Sequence, residues 1–111
     1  MNTTGYPVAE TTGTASFTYA MAWGLNNDML LPAPQYRTAV AKAWGWLTSV
    51  ALHTDGRVGN CQPGGAAPAN NFDANSTSDF CVGQFLLAAA EVSRLEPPLS
   101  SALLLSTYQT A

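Results

Sequence analysis

The stretch ETTGTASFTYAMAWGLNN, Glu10 to Asn27, reads as a helix without a polar stripe, because Ala15, Phe17, Tyr19, Met21, Trp23 and Leu25 fall on nearly every side of it. A helix of that kind is stable only when other helices surround it. The chain has 111 residues, and a domain of that size buries only about 65% of the surface its unfolded form exposes. Its own core is therefore expected to be modest. Composition sharpens the conflict: 47% of residues are hydrophobic and 10% charged, whereas an ordinary domain carries about 25% charged residues to cover its surface. The expectation is one domain that is a piece of something larger.

Thr11 or Thr12 is expected to cap this first helix through its hydroxyl, and Asn26-Asn27 to end it. Pro32 and Pro34 then open a second helix, in which Tyr36, Val40, Ala43, Trp44, Leu47, Val50 and Ala51 follow three-and-four spacing while Gln35, Arg37, Thr38, Lys42 and Ser49 take the other side. This one is amphipathic and belongs on an outer surface. Asp55-Gly56, between short β-compatible runs, predicts a small hairpin. From Pro63 to Ser78 no periodicity remains, and a loop of that length is uncommon unless functional or disordered. Ser78 or Asp79 caps a third helix, FCVGQFLLAAAEVSRL, apolar on nearly every side from Phe80 to Ala90 and stopped at Glu96-Pro97-Pro98. Residues 97–111 read as a tail or a short final helix.

Two helices apolar all round, alternating with an amphipathic one, are the pattern of an α/α barrel, with an inner ring of helices inside an outer ring. The first and third helices would be inner staves. A closed barrel of six such hairpins needs on the order of 200 residues, so three or four helices make a partial toroid.

Net charge is −3, and the basic residues Arg37, Lys42, Arg57 and Arg94 are scattered, which argues against nucleic acid and against an anionic membrane as partners. No run approaches the roughly 18 apolar residues of a membrane span, and MNTTGYPVAE lacks the features of a signal peptide. Cys61, Cys81 and the single His53 compose no metal motif, and no cofactor is implied. The two cysteines leave two readings open, a disulfide or two buried thiols. The sequons at Asn2 and Asn75 would suit an extracellular protein, a weak signal in a chain rich in Asn, Ser and Thr.

The blocks YPVAETTGTASFTYAMAWGLNNDML, YRTAVAKAWGWL, HTDGRVGNCQPGG and STSDFCVGQFLLAAAEVSRL, in that order from Tyr6 to Leu95, resemble the C-terminal part of the unsaturated rhamnogalacturonyl hydrolases, the six-hairpin glycosidases of glycoside hydrolase families 105 and 88. Glu10, Thr11, Gly13, Thr14, Ala15, Phe17, Thr18 and Tyr19 match the expected first block; Asp79, Val82, Gly83, Phe85, Leu86, Leu87 and Ala88 match the last. Ser16 departs where Met or Phe is usual, Cys81 where the pattern has Gly, and Gln84 where it often has Ala. The resemblance implies an (α/α)6 barrel acting on the unsaturated uronic acids that polysaccharide lyases leave, such as those from rhamnogalacturonan in pectin. It also implies a chemistry: an Asp hydrates the C4=C5 double bond as general acid and base, and the resulting hemiketal collapses. That Asp belongs to the N-terminal half of the family pattern. No stretch here matches it, so no catalytic residue is assigned.

Binding residues are a separate matter. Ser76, Thr77 and Ser78 place hydroxyls beside the free N–H groups at the start of the third helix, a setting that favours carboxylates, and an unsaturated uronate carries one. Plain capping is the competing reading, and Asp79 would repel an anion unless paired. Thr11 and Thr14 pose the same choice at the first helix, with capping the simpler answer. Trp23 is either a platform for a sugar ring or, more simply, core. Glu10 and Asp73 read as a helix-end partner and a solvated loop residue, and His53 has no visible catalytic partner. The chain is thus expected to be the C-terminal portion, over residues 1–96, of an unsaturated glycuronyl hydrolase, truncated or shortened. The alternatives are a non-catalytic helical module that self-associates through its apolar faces, or one that docks on a separate chain carrying the rest of the barrel.

Overall fold

The computed structural model describes residues 9–63 and 71–99. Three helices make it up: α1 spans Thr11–Asn26, α2 spans Ala33–Trp46 and α3 spans Asp79–Val92. α2 runs on into a π-helical turn, Leu47–Ala51. No strand is present among the described residues.

The ends of the helices follow from local chemistry, with one departure. Glu10, not Thr11 or Thr12, is the N-cap of α1; its extended backbone (φ −133°, ψ 152°) lets the carboxylate turn back and accept the N–H of Gly13. Thr11 is already helical, and its hydroxyl is drawn away to the carbonyl of Gly59 at 2.6 Å. At the other end, Asn27 caps through its side chain onto the Trp23 carbonyl (2.8 Å), and Asp28 takes a left-handed φ of 56° that reverses the chain. Pro34 stands in the first turn of α2, where its missing N–H costs nothing. Ser78 caps α3 by accepting the N–H of Cys81 at 3.2 Å.

The helix directions can be read from cross-links. Ser16 pairs with Gln84 (3.0 Å) and Asn26 with Glu91 (2.7 Å), so α1 and α3 lie side by side and run the same way. α2 crosses behind them in the opposite sense: its early Arg37 donates to the carbonyl of Pro97, beyond the end of α3, while its late Trp44 stacks on Phe85 with ring centroids 5.3 Å apart. Two parallel staves backed by one antiparallel helix is the arrangement expected of a section of an α/α toroid.

The core is small and divided. Near the N-terminal ends of α1 and α3, Ala15, Leu47, Ala51, Val58, Phe85 and Ala88 pack with the two cysteines; near the other ends, Ala22, Val40, Val92 and Leu95 form a second group. Trp44 packs against both. Small residues on α1 let the backbones approach, so much of the apolar burial comes from Leu47 and Leu95, each worth about 1.5–3 kcal/mol.

Two expectations need correction. The second helix does not continue as α to Ala51: the N–H of Leu52 reaches back five residues to Leu47 (2.9 Å), and this wider turn leaves Val50 exposed although it shares the apolar spacing. The small β-hairpin is also not formed. A tight turn does stand at Asp55-Gly56, with Gly56 at φ 90°, but its arms meet in a single antiparallel bridge, Leu52 to Val58. The arms part because Gly59 donates to Ala51 in the π turn (2.8 Å) and Asn60, at φ 57°, swings the chain toward α1. Of the stretch 97–111, read as a tail or a short final helix, residues 100–111 lie outside the described residues, as does the sequon at Asn2.

Candidate functional site

Because α1 and α3 are parallel, their N-termini open at the same end of the molecule. Their positive dipole ends and unpaired amides therefore face one region, the electrostatic setting in which an anion is favoured. Two loops close around that end, and backbone bonds lock them together. The carbonyl of Asn60 accepts the N–H of Thr11 (2.8 Å), while the N–H groups of Asn60 and Cys61 donate to the carbonyls of Asp73 (3.1 Å) and Ser76 (3.0 Å). Gly59 sits so close under the second loop that a Cβ there would lie 1.9 Å from the Ala74 carbonyl oxygen.

The second loop is ordered by its own side chains where it is described. Asp73 accepts the N–H of Asn75 (2.8 Å), and the Ser76 hydroxyl accepts the N–H of Asp73 (3.0 Å). Arg57 reaches across from the Asp55 turn to the side-chain oxygen of Asn75 at 3.0 Å. It brings a cation to this end of the molecule, which the sequence did not indicate, since Arg57 and Asn75 are 18 residues apart. In that turn the N–H of Arg57 donates to the Asp55 carboxylate (3.0 Å), which holds Asp55 below the usual carboxylate range, with the nearby Arg57 charge acting the same way.

The loop is then tied to α3 covalently. Cys61 and Cys81 are joined in a disulfide with Cα atoms 5.9 Å apart, and of the two open readings the bond is the one present. The ring it closes contains Ser76, Thr77, Ser78 and Asp79.

The residues singled out from the sequence divide into three groups. Ser76, Thr77, Ser78 and Asp79 are brought together at the mouth of α3, with Thr77, Ser78 and Asp79 exposed. The Ser78 hydroxyl is committed to capping, so Thr77 and the first amides of α3 are the groups turned outward. Thr11 and Thr14 stand at the neighbouring helix start, but Thr11 is fully buried and Thr14 donates to the Glu10 carbonyl (2.7 Å), roles that position the helix end. Trp23 is 42% exposed but lies twelve residues along α1 from Thr11, about 18 Å away at 1.5 Å per residue. It is not at this mouth.

Four polar atoms near α1 and the first loop are buried without a hydrogen-bond partner: a Glu10 carboxylate oxygen, the Thr12 hydroxyl, His53 Nε2 and the Asn60 side-chain oxygen. Glu10 and Asn60 were not read as site residues. The signal available was Asn before Cys in a Gly-Asn turn, since Asn adopts positive φ more readily than most residues. A cleft of about 240 Å³ at the opposite end, lined by Asn26, Asp28, Arg37 and Arg94 among others, gathers none of the predicted residues.

The chain is similar to known proteins over most of its length. Residues 1–96 match the profile of Glycosyl Hydrolase Family 88. An unsaturated 3S-rhamnoglycuronyl hydrolase of Formosa agariphila is 44% identical over 91 residues, covering 82% of this chain and 23% of that protein. A protein of the same description from an Alteromonas species is 35% identical over 83 residues, 75% of this chain and 19% of the relative. Among solved structures, a glycosyl hydrolase family 88 protein from Bacteroides vulgatus matches at TM-score 0.66 and 49% identity over 74% of this chain and 24% of that one. A chain described as a polysaccharide lyase matches at TM-score 0.70 and 49% identity, over 83% and 26%. The chain thus spans about a quarter or less of the relatives it matches.

Proposed function

The chain belongs to glycosyl hydrolase family 88, and from that membership we propose that it supplies a substrate-binding wall to an enzyme that hydrolyses unsaturated uronic-acid oligosaccharides by hydrating their C4=C5 double bond. The observation that supports this reading is the shared end of α1 and α3, where two helix N-termini lie beside the exposed Thr77 and a loop that Arg57 reaches through Asn75 and the Cys61–Cys81 disulfide ties to α3. A uronate carboxylate suits that setting.

The related hydrolases carry rhamnoglycuronyl substrates in their names, which supports a rhamnose-linked unsaturated uronate over other uronates. The Asp assigned to hydration matches no stretch of these 111 residues, so the role proposed for them is recognition. Titration of the labelled chain with an unsaturated uronate-containing disaccharide, followed by amide chemical shifts, tests it. Shifts should concentrate at Thr77, Asp79 and Phe80, and Arg57→Gln should weaken binding about tenfold, the scale of one charge-assisted hydrogen bond. Equal shifts with a neutral disaccharide, or none at this mouth, would refute the reading.

A second reading is favoured by a different observation. Phe17, Phe80, Leu86 and Leu87 on α1 and α3 are between 44% and 71% exposed, a large apolar area for so small a molecule. In this reading the chain is a non-catalytic module whose staves self-associate. Light scattering after size-exclusion chromatography separates the two: a stable dimer dissociated by Phe17→Glu or Leu86→Glu supports the module, and a monomer at all concentrations rejects it.

A further inference from the structure

We infer that the Cys61–Cys81 disulfide is a positioning clamp for the loop at the mouth of α3, and that the protein accordingly matures in an oxidising compartment. Both cysteines are buried, Cys61 at 3% and Cys81 at 0% exposure, among the residues of the first core group. Cys81 lies in the first turn of α3, directly over the Ser78 cap that accepts its N–H. Cys61 follows Asn60, whose carbonyl holds the first amide of α1, and its own N–H holds Ser76. One covalent bond therefore joins the three segments that form the mouth: the start of α1 through Asn60, the loop through Ser76, and the start of α3.

The backbone ties of residues 71–76 are weak by comparison. These residues are joined to the Asn60-Cys61 segment by two backbone bonds, of 3.1 and 3.0 Å, and carry further bonds within the loop and to the exposed Arg57. Single bonds of that kind contribute only modestly. Closing the 20-residue separation between the cysteines restricts the unlinked ensemble far more. Of residues 71–75, Phe72 is buried and the others are exposed, so one side chain supplies the apolar hold of that segment.

Formation of the clamp is thiol–disulfide exchange. The Cys61 or Cys81 thiolate attacks a disulfide-bearing donor, one donor thiol leaves, and the second cysteine attacks the mixed disulfide to release the other donor thiol. Two electrons and two protons pass to the donor. Compartments that supply such donors are the oxidising ones.

Hydrogen exchange on the whole 111-residue chain tests the clamp, comparing the oxidised protein, the protein reduced by a water-soluble phosphine, and the Cys61→Ala/Cys81→Ala double variant. Reduction is balanced: the phosphine gains an oxygen from water and the disulfide gains two electrons and two protons. The amides of Asn60, Cys61 and Ser76 should exchange roughly a hundredfold faster without the bond, the scale of the loop-closure effect, while amides in the middle of α1 and α3 change little. Equal acceleration of loop and helix amides would overturn the inference, since the bond would then be a global staple. No acceleration at the loop would overturn it too, as would two free thiols in protein secreted into an oxidising compartment.

The consequence for ligand rests on the binding role proposed above, and it is read separately. Affinity for the unsaturated disaccharide should fall at least about tenfold on reduction. If the loop amides respond as expected while neither form binds the disaccharide, the clamp stands and the binding role fails.

Discussion

Gly59→Ala tests the assembly of the mouth most directly, because one added methyl group meets backbone there. Its carbon would lie 1.9 Å from the Ala74 carbonyl oxygen, 2.9 Å from the Ala74 carbonyl carbon and 2.7 Å from His53 Nε2. The imidazole can turn aside, but the carbonyl cannot withdraw without moving the whole second loop. Overpacking of this kind costs about 1–3 kcal/mol. The shift also strains the Thr11 hydroxyl bond to the Gly59 carbonyl and the Gly59 N–H bond to Ala51, each worth about 0.5–1.5 kcal/mol. The sum is about 2–6 kcal/mol, centred near 4, or roughly 20 °C in melting temperature for a domain of this size. The control is Gly45→Ala in α2, where nothing stands within 4 Å of the new carbon. A helix-interior glycine replaced by alanine gains about 1 kcal/mol, so the same substitution should act with opposite sign at the two positions. Urea unfolding of both variants against the parent chain measures this. Equal shifts, or a neutral Gly59→Ala, would refute the close approach of the two loops.

Other substitutions probe other joints. Leu47→Ala removes a fully buried side chain from the first core group and should cost about 2–5 kcal/mol by the same unfolding assay. Glu10→Ala removes the cap of α1 and should cost about 1 kcal/mol, whereas Glu10→Gln keeps an acceptor and should retain much of it. The Asp55 carboxyl, held low by the Arg57 N–H, favours its turn while ionised. That contribution is complete above the unfolded value near 3.9 and is lost as pH falls through the lower folded value. The Arg57 amide resonance should therefore titrate below the ordinary Asp range, and a midpoint at or above about 4 would contradict the bond.

The helices were readable because their signals are local: apolar runs bounded by Pro34 at one start, Ser78 at another and Asn26-Asn27 at an end. Family membership and the all-helical class followed from those blocks. What escaped the sequence depends on contacts between distant residues. Thr11 looks like a cap until Gly59 claims its hydroxyl from 48 positions away, and Glu10 then takes the role. The apolar spacing through Val50 and Ala51 is compatible with α-helix, but the turn widens where Leu52 must leave toward Val58. For the candidate site, helix-start chemistry singled out Ser76 to Asp79, which the fold gathers at the start of α3, but the reach of Arg57 to Asn75 and the pairing of Cys61 with Cys81 are products of chain folding that no local pattern encodes.

The place of Trp44 has a mechanical consequence. The two core groups sit at opposite ends of the parallel staves, and Trp44 packs against both, its ring tilted by 33° against Phe85. An opening at the far end, around Leu95, that moved this indole would reach the first core group through Phe85. The ring is a single joint shared by the two core groups. With Trp23 and Trp46 replaced by Phe, its fluorescence would report whether the two ends move as one body or in succession.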